Sequence, residues 1–210
     1  MYTKYPRTMH LPSSQGVQSD DKIISTLNHL YGTKVVITTK MDGENTSMYT
    51  DHIHARSIDS RHHKSRDWVK SFWAERCQYI PKGWRICGEN LYAKHSIVYN
   101  DLRSYFYGFS IWDENNVALP WYDTLEWFEE LEITPVPMIY MGICSEEIIE
   151  AVIASIDTKR TEGFVVRTID EIKYEDFSTK VAKWVRKGHV QTDKHWTAAK
   201  IVPNGLLNGD

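Results

Sequence analysis

Between residues 34 and 50 two β-rich apolar stretches, KVVITT (34–39) and TSMYT (46–50), are joined by the run KMDGEN (40–45). No other stretch constrains the fold as tightly. Their composition favours strands, and Asp42-Gly43 is a pair suited to a tight bend, so the spacing predicts a β-hairpin. Lys40 then stands at a strand end, beside Asp42, Glu44 and a glycine that admits a phosphate. Its amine could attack phosphorus if neighbouring cations or burial lowered its pKa. Alone, the string says little. Lys-x-Asp-Gly arises by chance in about one chain in twenty of this length, and a solvated lysine on a surface hairpin explains it more simply.

The composition is that of a folded globular chain, 41% hydrophobic and 25% charged over 210 residues, enough for one large domain or two small ones. No apolar run approaches a bilayer span, so no membrane partner is expected. The N-terminal MYTKYPRTMHLPSS lacks the apolar core of a secretory signal. Cys77, Cys87 and Cys144 are odd in number and form no CxxC pair. That argues against a disulfide framework or zinc ribbon and predicts a reducing, cytoplasmic setting. His52, His54, His62 and His63 have a spacing that a metal could use, but nothing completes a shell and no zinc site is expected.

A net charge of −3 argues against a chain that binds nucleic acid by overall charge. The positive charge is clustered, at 56–70 (Arg56, Arg61, Lys64, Arg66, Lys70) and at 180–200 (Lys180, Lys183, Arg186, Lys187, Lys194, Lys200), while acidic residues gather between 113 and 175. This fits either two solvated faces or one basic groove on an acidic body. Eight Trp and twelve Tyr can build a core or stack on bases.

Helix signals occur at 19–32, capped by Ser19 or Asp20 and ended by Gly32, and again at 65–80, 121–131 and 145–156, where Ser145 opens a capping box. Strand signals occur at 34–50, 53–57, 84–92, 104–113, 162–168 and 180–185. There is no regular βαβ alternation, so an α+β fold of mixed, largely antiparallel sheets flanked by helices is expected. HLPSSQG (10–16) reads as a turn-rich lead-in, and His195-Trp196 as packing for a C-terminal tail.

Four strand-like segments carry charge that a plain strand would not need. KMDGEN brings Lys40, Asp42 and Glu44; CGENLY brings Glu89; EGFVVR brings Glu162 and Arg167; KVAKWVRK brings Lys180, Lys183, Arg186 and Lys187. A Gly-Glu pair at one strand end is commonplace. Together the segments supply a nucleophile candidate, carboxylates able to hold Mg²⁺ and cations for a polyphosphate, the set that nucleotidyl transfer requires.

In this order the segments resemble the motifs of RNA ligases, members of the covalent nucleotidyltransferase superfamily with the DNA ligases and mRNA capping enzymes. The resemblance runs through 40–187. KMDGEN is similar to the nucleophile motif Lys-x-(Asp/His)-Gly, which implies that Lys40 carries AMP. HARS (54–57) implies that Arg56 is the arginine of the next motif, CGENLY that Glu89 binds the ribose, and YFYGFSIWD that Phe109 stacks on adenine. EGFVVR implies that Glu162 acts at the metal, and KWVRK that Lys183 meets the α-phosphate. Thr39 precedes the nucleophile, where a backbone contact to adenine suffices. Asn45 stands where DNA ligases and capping enzymes usually have arginine, as in nick-sealing RNA ligases. One departure is Val185, in the place of the fifth motif's second lysine, so Arg186, Lys187 or Lys180 would have to substitute. The other is the short run after the fifth motif, which leads us to expect a single nucleotidyltransferase (adenylation) domain over 1–210, with neither an OB domain nor a sizeable C-terminal domain.

The resemblance implies an ATP-dependent RNA ligase that uses ATP and Mg²⁺ (or Mn²⁺), with Glu89 and Glu162 at the metal. Lys40 takes AMP from ATP, passes it to an RNA 5′-phosphate, and a 3′-hydroxyl displaces it. For the attack Lys40 must be neutral, and Mg²⁺ and Lys183 are expected to lower its pKa. Arg61, Lys64, Arg66, Arg186 and Lys187 are the expected contacts to RNA phosphates, with the steep salt dependence that brings. The RNA ends could belong to a nicked duplex, a tRNA break or a single strand, and a monomer is expected. Two alternatives stand beside this: an adenylating domain that needs a partner for sealing, and a catalytically silent RNA-binding module with relic motifs.

Overall fold

The computed structural model describes residues 1–19, 21–188 and 201–207. Asp20, Lys194, His195, Trp196 and Lys200 lie outside them. The strands are β1 (Met9–His10), β2 (Lys34–Lys40), β3 (Glu44–Met48), β4 (Ile53–Ala55), β5 (Arg85–Asn90), β6 (Phe106–Trp112), β7 (Val117–Ala118), β8 (Thr134–Pro135), β9 (Met138–Ile143), β10 (Gly163–Thr168), β11 (Ile172–Lys173) and β12 (Val181–Val185). The helices are α1 (Asp67–Ala74), α2 (Trp121–Glu130), α3 (Glu146–Ser155) and α4 (Phe177–Lys180). They build two sheets, one ordered β1-β12-β10-β2-β9 and one ordered β11-β7-β6-β5-β3-β4 with β8 beside β6. Pairing is antiparallel except for β1 on β12 and β8 on β6. The expectation of a mixed, largely antiparallel α+β fold holds.

The 34–50 stretch departs from the hairpin that its spacing predicts. Both strands form, but they do not pair. β2 lies between β10 and β9, whereas β3 lies between β4 and β5 in the other sheet. Met41–Gly43 is therefore a crossover between sheets. The cause is burial: Val35, Val36 and Ile37 are all 0% exposed. A run apolar on both faces needs neighbours on both edges and cover on both sides, which a lone two-stranded hairpin cannot provide.

The helix predicted over 19–32 does not form either. His10 donates its amide to the Lys22 carbonyl (2.8 Å) and accepts at its own carbonyl from Ile24 (2.9 Å). These bonds draw 22–24 against β1, so the local i to i+4 pattern loses to pairing with a distant strand. Ile24, Leu27 and Leu30 still bury their side chains. They fill the core on the outer face of the first sheet, together with α3, Val35, Ile37, Phe164, Val166 and Trp184. Over 65–80 only α1 is α-helical, with 3₁₀ turns at 64–66 and 77–79. The helices α2 and α3 form as expected, the latter capped by the Ser145 hydroxyl, which accepts the Ile148 amide at 3.3 Å. β9 had no sequence signal, because this edge strand is exposed or half-buried along its length and shows no alternation.

Strand alternation separates the two faces of the first sheet. Ile37, Phe164, Val166, Ala182 and Trp184 point outward into the core just described. Thr38, Lys40, Val165, Arg167, Val181 and Lys183 point inward, towards the second sheet, and line a cavity. Helices α1 and α2 cover the far side of the second sheet, where Phe72 meets Phe106 with ring centroids 5.6 Å apart and Phe128 joins the same cluster.

Candidate active site between the two sheets

The cavity between the sheets has a volume of about 640 Å³, within the range that holds a small-molecule ligand. Its position follows from the crossover. Lys40 ends β2 on the first sheet, Glu44 and Asn45 open β3 on the second, and the turn between them forms one edge of the opening. Register sets the remaining groups. On the first sheet, Val165 is flanked by Thr38 and Lys183, and Gly163 lies beside Lys40. On the second, Asn45 lies beside Glu89. The Phe109 ring projects into the same space.

Lys40 Nζ donates to Glu162 Oε2 at 2.6 Å. Glu162 is 6% exposed and sits behind the lysine rather than on the cavity wall. Burial lowers the Lys40 pKa, but the Glu162 carboxylate, then Glu89, oppose it, and the ammonium is held well above the ordinary lysine value. The expectation that Lys183 would depress Lys40 is thus not met in this arrangement, because two carboxylates lie closer to Lys40 in effect than the second cation does. Glu89 accepts the Gly43 amide at 3.2 Å. Burial pushes its carboxyl up to about 8, with Lys40 opposing and Glu162 and Asp42 adding to the shift. A Cβ at position 43 would lie 2.5 Å from the Asn90 carbonyl oxygen and 2.7 Å from Leu91 Cδ2. Glycine is therefore required at the crossover by close approach, independent of any phosphate.

The two acidic neighbours of Lys40 in sequence are committed elsewhere. Asp42 Oδ2 accepts from the Ser96 amide (2.8 Å), the Ser96 hydroxyl (2.7 Å) and the Ile97 amide (2.8 Å), so it anchors the crossover to the loop after β5. That loop is in turn gripped by Asn204, 3% exposed, whose side chain accepts from Tyr99 N at 3.0 Å and donates to Leu91 O at 2.8 Å. Glu44 receives both arms of the Arg66 guanidinium. Among the described residues no three His, Cys, Asp or Glu side chains converge on one point. A divalent ion here would take Glu89 or Glu162 from the protein and its remaining ligands from phosphates and water, which suits Mg²⁺.

Of the residues expected at the site, Thr39, Lys40, Asn45, Arg56, Glu89, Phe109 and Lys183 line the cavity. The Asn45 amide oxygen is buried with no hydrogen-bond donor among the described residues, leaving an acceptor for a ligand hydroxyl. Arg66 lines the cavity but is forked onto Glu44. Arg61 and Lys64 are exposed outside the cavity, as is Lys187 beyond β12; Arg186 is half-buried, and Lys180 ends α4 away from the cavity. The position two after Lys183 is buried Val185, 1% exposed, and none of the three candidate substitutes reaches the wall.

The structure adds residues that motif order does not bring out. Tyr5, Pro6 and Thr8 close one side of the cavity, with Tyr5 edge-on to Phe109 at 5.1 Å and to Phe177 at 5.3 Å. Arg167 also lines the cavity and is buried. Burial lowers its guanidinium to about 10, and its protein partners are carbonyls, those of Thr168, Leu119 and Asp170. Arg167 was legible as a charged residue in a strand, since its register puts it on the same face as Val165. The N-terminal wall had no local signal.

A family model described as RNA ligase matches residues 33–185. No curated protein matches the chain. Among solved structures the chain is similar to a Naegleria gruberi RNA ligase mutant with ATP and Mn, at TM-score 0.56 and 17% identity, over 87% of this chain and 58% of that one. It is also similar to Naegleria gruberi RNA ligase with PPi, at TM-score 0.57 and 17% identity over 87% and 57%, and to a mutant with AMP and Mn, at 0.56 and 16% over 87% and 57%. At these identities the likeness shows the fold, and the chain spans under three fifths of those chains.

Proposed function

The chain belongs to the RNA ligase family, and from that premise we propose that it is an ATP-dependent ligase joining 5′-phosphate and 3′-hydroxyl RNA ends through an AMP carried on Lys40. The observation that carries this reading is the meeting of Lys40, Glu89 and Lys183, from three strands of two sheets, at one cavity, with Glu162, just ahead of β10, bonded to Lys40 from behind. In the proposed first step the Lys40 amine forms a P–N bond to the α-phosphorus of ATP. The bond to the bridging oxygen breaks, and pyrophosphate leaves with the electron pair. Before attack the ammonium gives up its proton, and Glu162 Oε2 at 2.6 Å is placed to take it. Phe109 and Tyr5 offer an aromatic wall for the base, while Asn45 and Glu89 suit the ribose hydroxyls. Lys183 offsets charge on the α-phosphate. Mg²⁺ or Mn²⁺ held at Glu89 or Glu162 would supply Lewis-acid charge neutralisation.

The remaining steps pass AMP to a 5′-phosphate and release it when a 3′-hydroxyl attacks. The exposed Arg61 and Lys64 beside the cavity, with Arg56 on its wall and Arg186 and Lys187 beyond β12, suit the RNA backbone. The nucleotidyltransferase architecture, with Lys40 at a sheet-to-sheet crossover, is part of the same proposal.

The test is incubation with α-labelled ATP and Mg²⁺, followed by denaturing electrophoresis. Label on the wild type and none on Lys40→Ala is the expected result. Label on Lys40→Ala would sink Lys40 as the nucleophile, and no label on the wild type with any nucleotide would sink the mechanism and leave the RNA-binding module. Offering a 5′-phosphate end alone, then nicked duplex, broken tRNA and single strands, separates complete joining from adenylation that needs a partner.

A further inference from the structure

Lys183 is held from behind by the segment 10–21, which carries none of the ligase motifs. Its Nζ lies 3.7 Å from Asp21 Oδ1, with the two side chains 18% and 19% exposed. Asp21 Oδ2 accepts the Gln18 amide at 3.0 Å and faces His10 Nε2 at 3.1 Å. His10 is 1% exposed, and its Nδ1 lies 2.7 Å from Ser14 Oγ. Ser14 Oγ accepts the Val185 amide at 2.9 Å and lies 3.3 Å from the Val185 carbonyl. The backbone follows the same path. β1 runs parallel to β12 with His10 opposite Lys183, and the Leu11 amide donates to the Lys183 carbonyl at 2.7 Å. HLPSSQG is thus stitched to β12 at Lys183 and Val185, and its end returns as Asp21.

A Ser-His-Asp series can activate a serine, but here Ser14 is bonded to the β12 backbone and buried. The series therefore ends at the aspartate, whose free face meets a lysine. The charged groups facing Lys183 are Asp21, Lys40, Glu162 and Arg56. Burial and the neighbouring Lys40 both lower the Lys183 ammonium, and Asp21 opposes them. Burial raises the Asp21 carboxyl, but the Gln18 amide, Lys183 and His10 outweigh it and hold it below the usual range.

We propose that Asp21, oriented by His10 and Ser14, is a positioning residue that keeps Lys183 charged and fixed on the same cavity wall as Lys40. The proposal rests on the reading of the site given above, in which Lys183 meets the α-phosphate. An isosteric change that removes the charge therefore impairs the chemical step more than nucleotide binding.

The experiment compares Asp21→Asn, Asp21→Glu and wild type in the full chain. The labelling rate constant at saturating ATP, the half-saturating ATP concentration and the Tm are measured, together with the Lys183 titration by NMR after ¹³C reductive methylation. Asp21→Asn is expected to lower the rate constant about tenfold, a change of about 1.4 kcal/mol in barrier, with the half-saturating concentration within about twofold. The Lys183 midpoint moves down, and Asp21→Glu recovers most of both. An unmoved Lys183 midpoint, or labelling at the wild-type rate, overturns the proposal. Loss of labelling that merely follows loss of folded protein in both variants also overturns it, because it assigns Asp21 a structural role. If the wild type takes no label from any nucleotide, the ligase reading fails, and the Lys183 titration still decides whether Asp21 holds that lysine.

Discussion

Replacing Lys40 with methionine should remove labelling and also destabilise the fold in a pH-dependent way. Lys40 and Glu162 form a 2.6 Å pair with side-chain exposures of 24% and 8%, and Glu89 lies close enough to raise the lysine further. Removing one partner of a fully buried pair costs about 3–5 kcal/mol. With a quarter of the lysine exposed, about 2 kcal/mol is expected, or about 4–8 °C in Tm for a chain of this size. In wild type, Lys40 is raised above its unfolded value, so its contribution is fully present below about pH 10 and constant from pH 5 to 8. In the variant, Glu89 keeps the burial that raises it and its Glu162 and Asp42 neighbours but loses the opposing Lys40. A carboxyl pushed further above its unfolded value binds more protons when folded, so stability is retained at acid pH and lost as pH rises. Thermal unfolding followed by circular dichroism should show a small deficit at pH 5 and the full deficit at pH 8. Lys40→Met/Glu162→Gln should recover most of the loss. An equal deficit at both pH values, or a double variant no more stable than the single one, would refute the account.

Glu89→Gln should abolish labelling while flattening the pH dependence of Tm. With its carboxyl raised from 4.5 to about 8, wild type has this group's full stability below about pH 4.5 and loses it as pH rises through about 8, so the variant should be the more stable at pH 9. Gly43→Ala drives a methyl into the Asn90 carbonyl at 2.5 Å. It should cost about 1–3 kcal/mol in a denaturant titration and lower the labelling rate by displacing the Gly43 amide from Glu89. Asn204→Ala leaves the Tyr99 amide and Leu91 carbonyl without their buried partner. It should cost about 1–3 kcal/mol and raise hydrogen exchange across 91–99, loosening the loop that holds Asp42.

Much of the candidate site was legible because its residues sit in short strand-like strings whose charges, taken together, suit nucleotidyl transfer. Lys40, Glu89, Glu162 and Lys183 stood out only as a set, and Asn45 and Phe109 only through the resemblance to family motifs. What those residues would touch was less legible. Asp42 stands beside Lys40 in the sequence, yet its carboxylate is filled by Ser96 and Ile97. Arg66 looked like a free cation in a basic run, yet it is forked onto Glu44. The apolar spacing at 24, 27 and 30 marked burial correctly but not helix, since the backbone of 22–24 is claimed by His10. The edge strand β9 went unseen because partial exposure erases alternation.

Read alone, the amino-acid order was enough to determine an α+β chain and its principal strands, because strand propensity is local, and the resemblance of its charged strings to family motifs named the residues of the candidate site. Tertiary structure alone decided that β2 and β3 belong to different sheets, which turns a tight bend into the mouth of a cavity. It also decided that Tyr5 closes that cavity and that Asp21 stands behind Lys183. Such contacts join residues far apart in the chain, and they depend on which buried strand edges find partners.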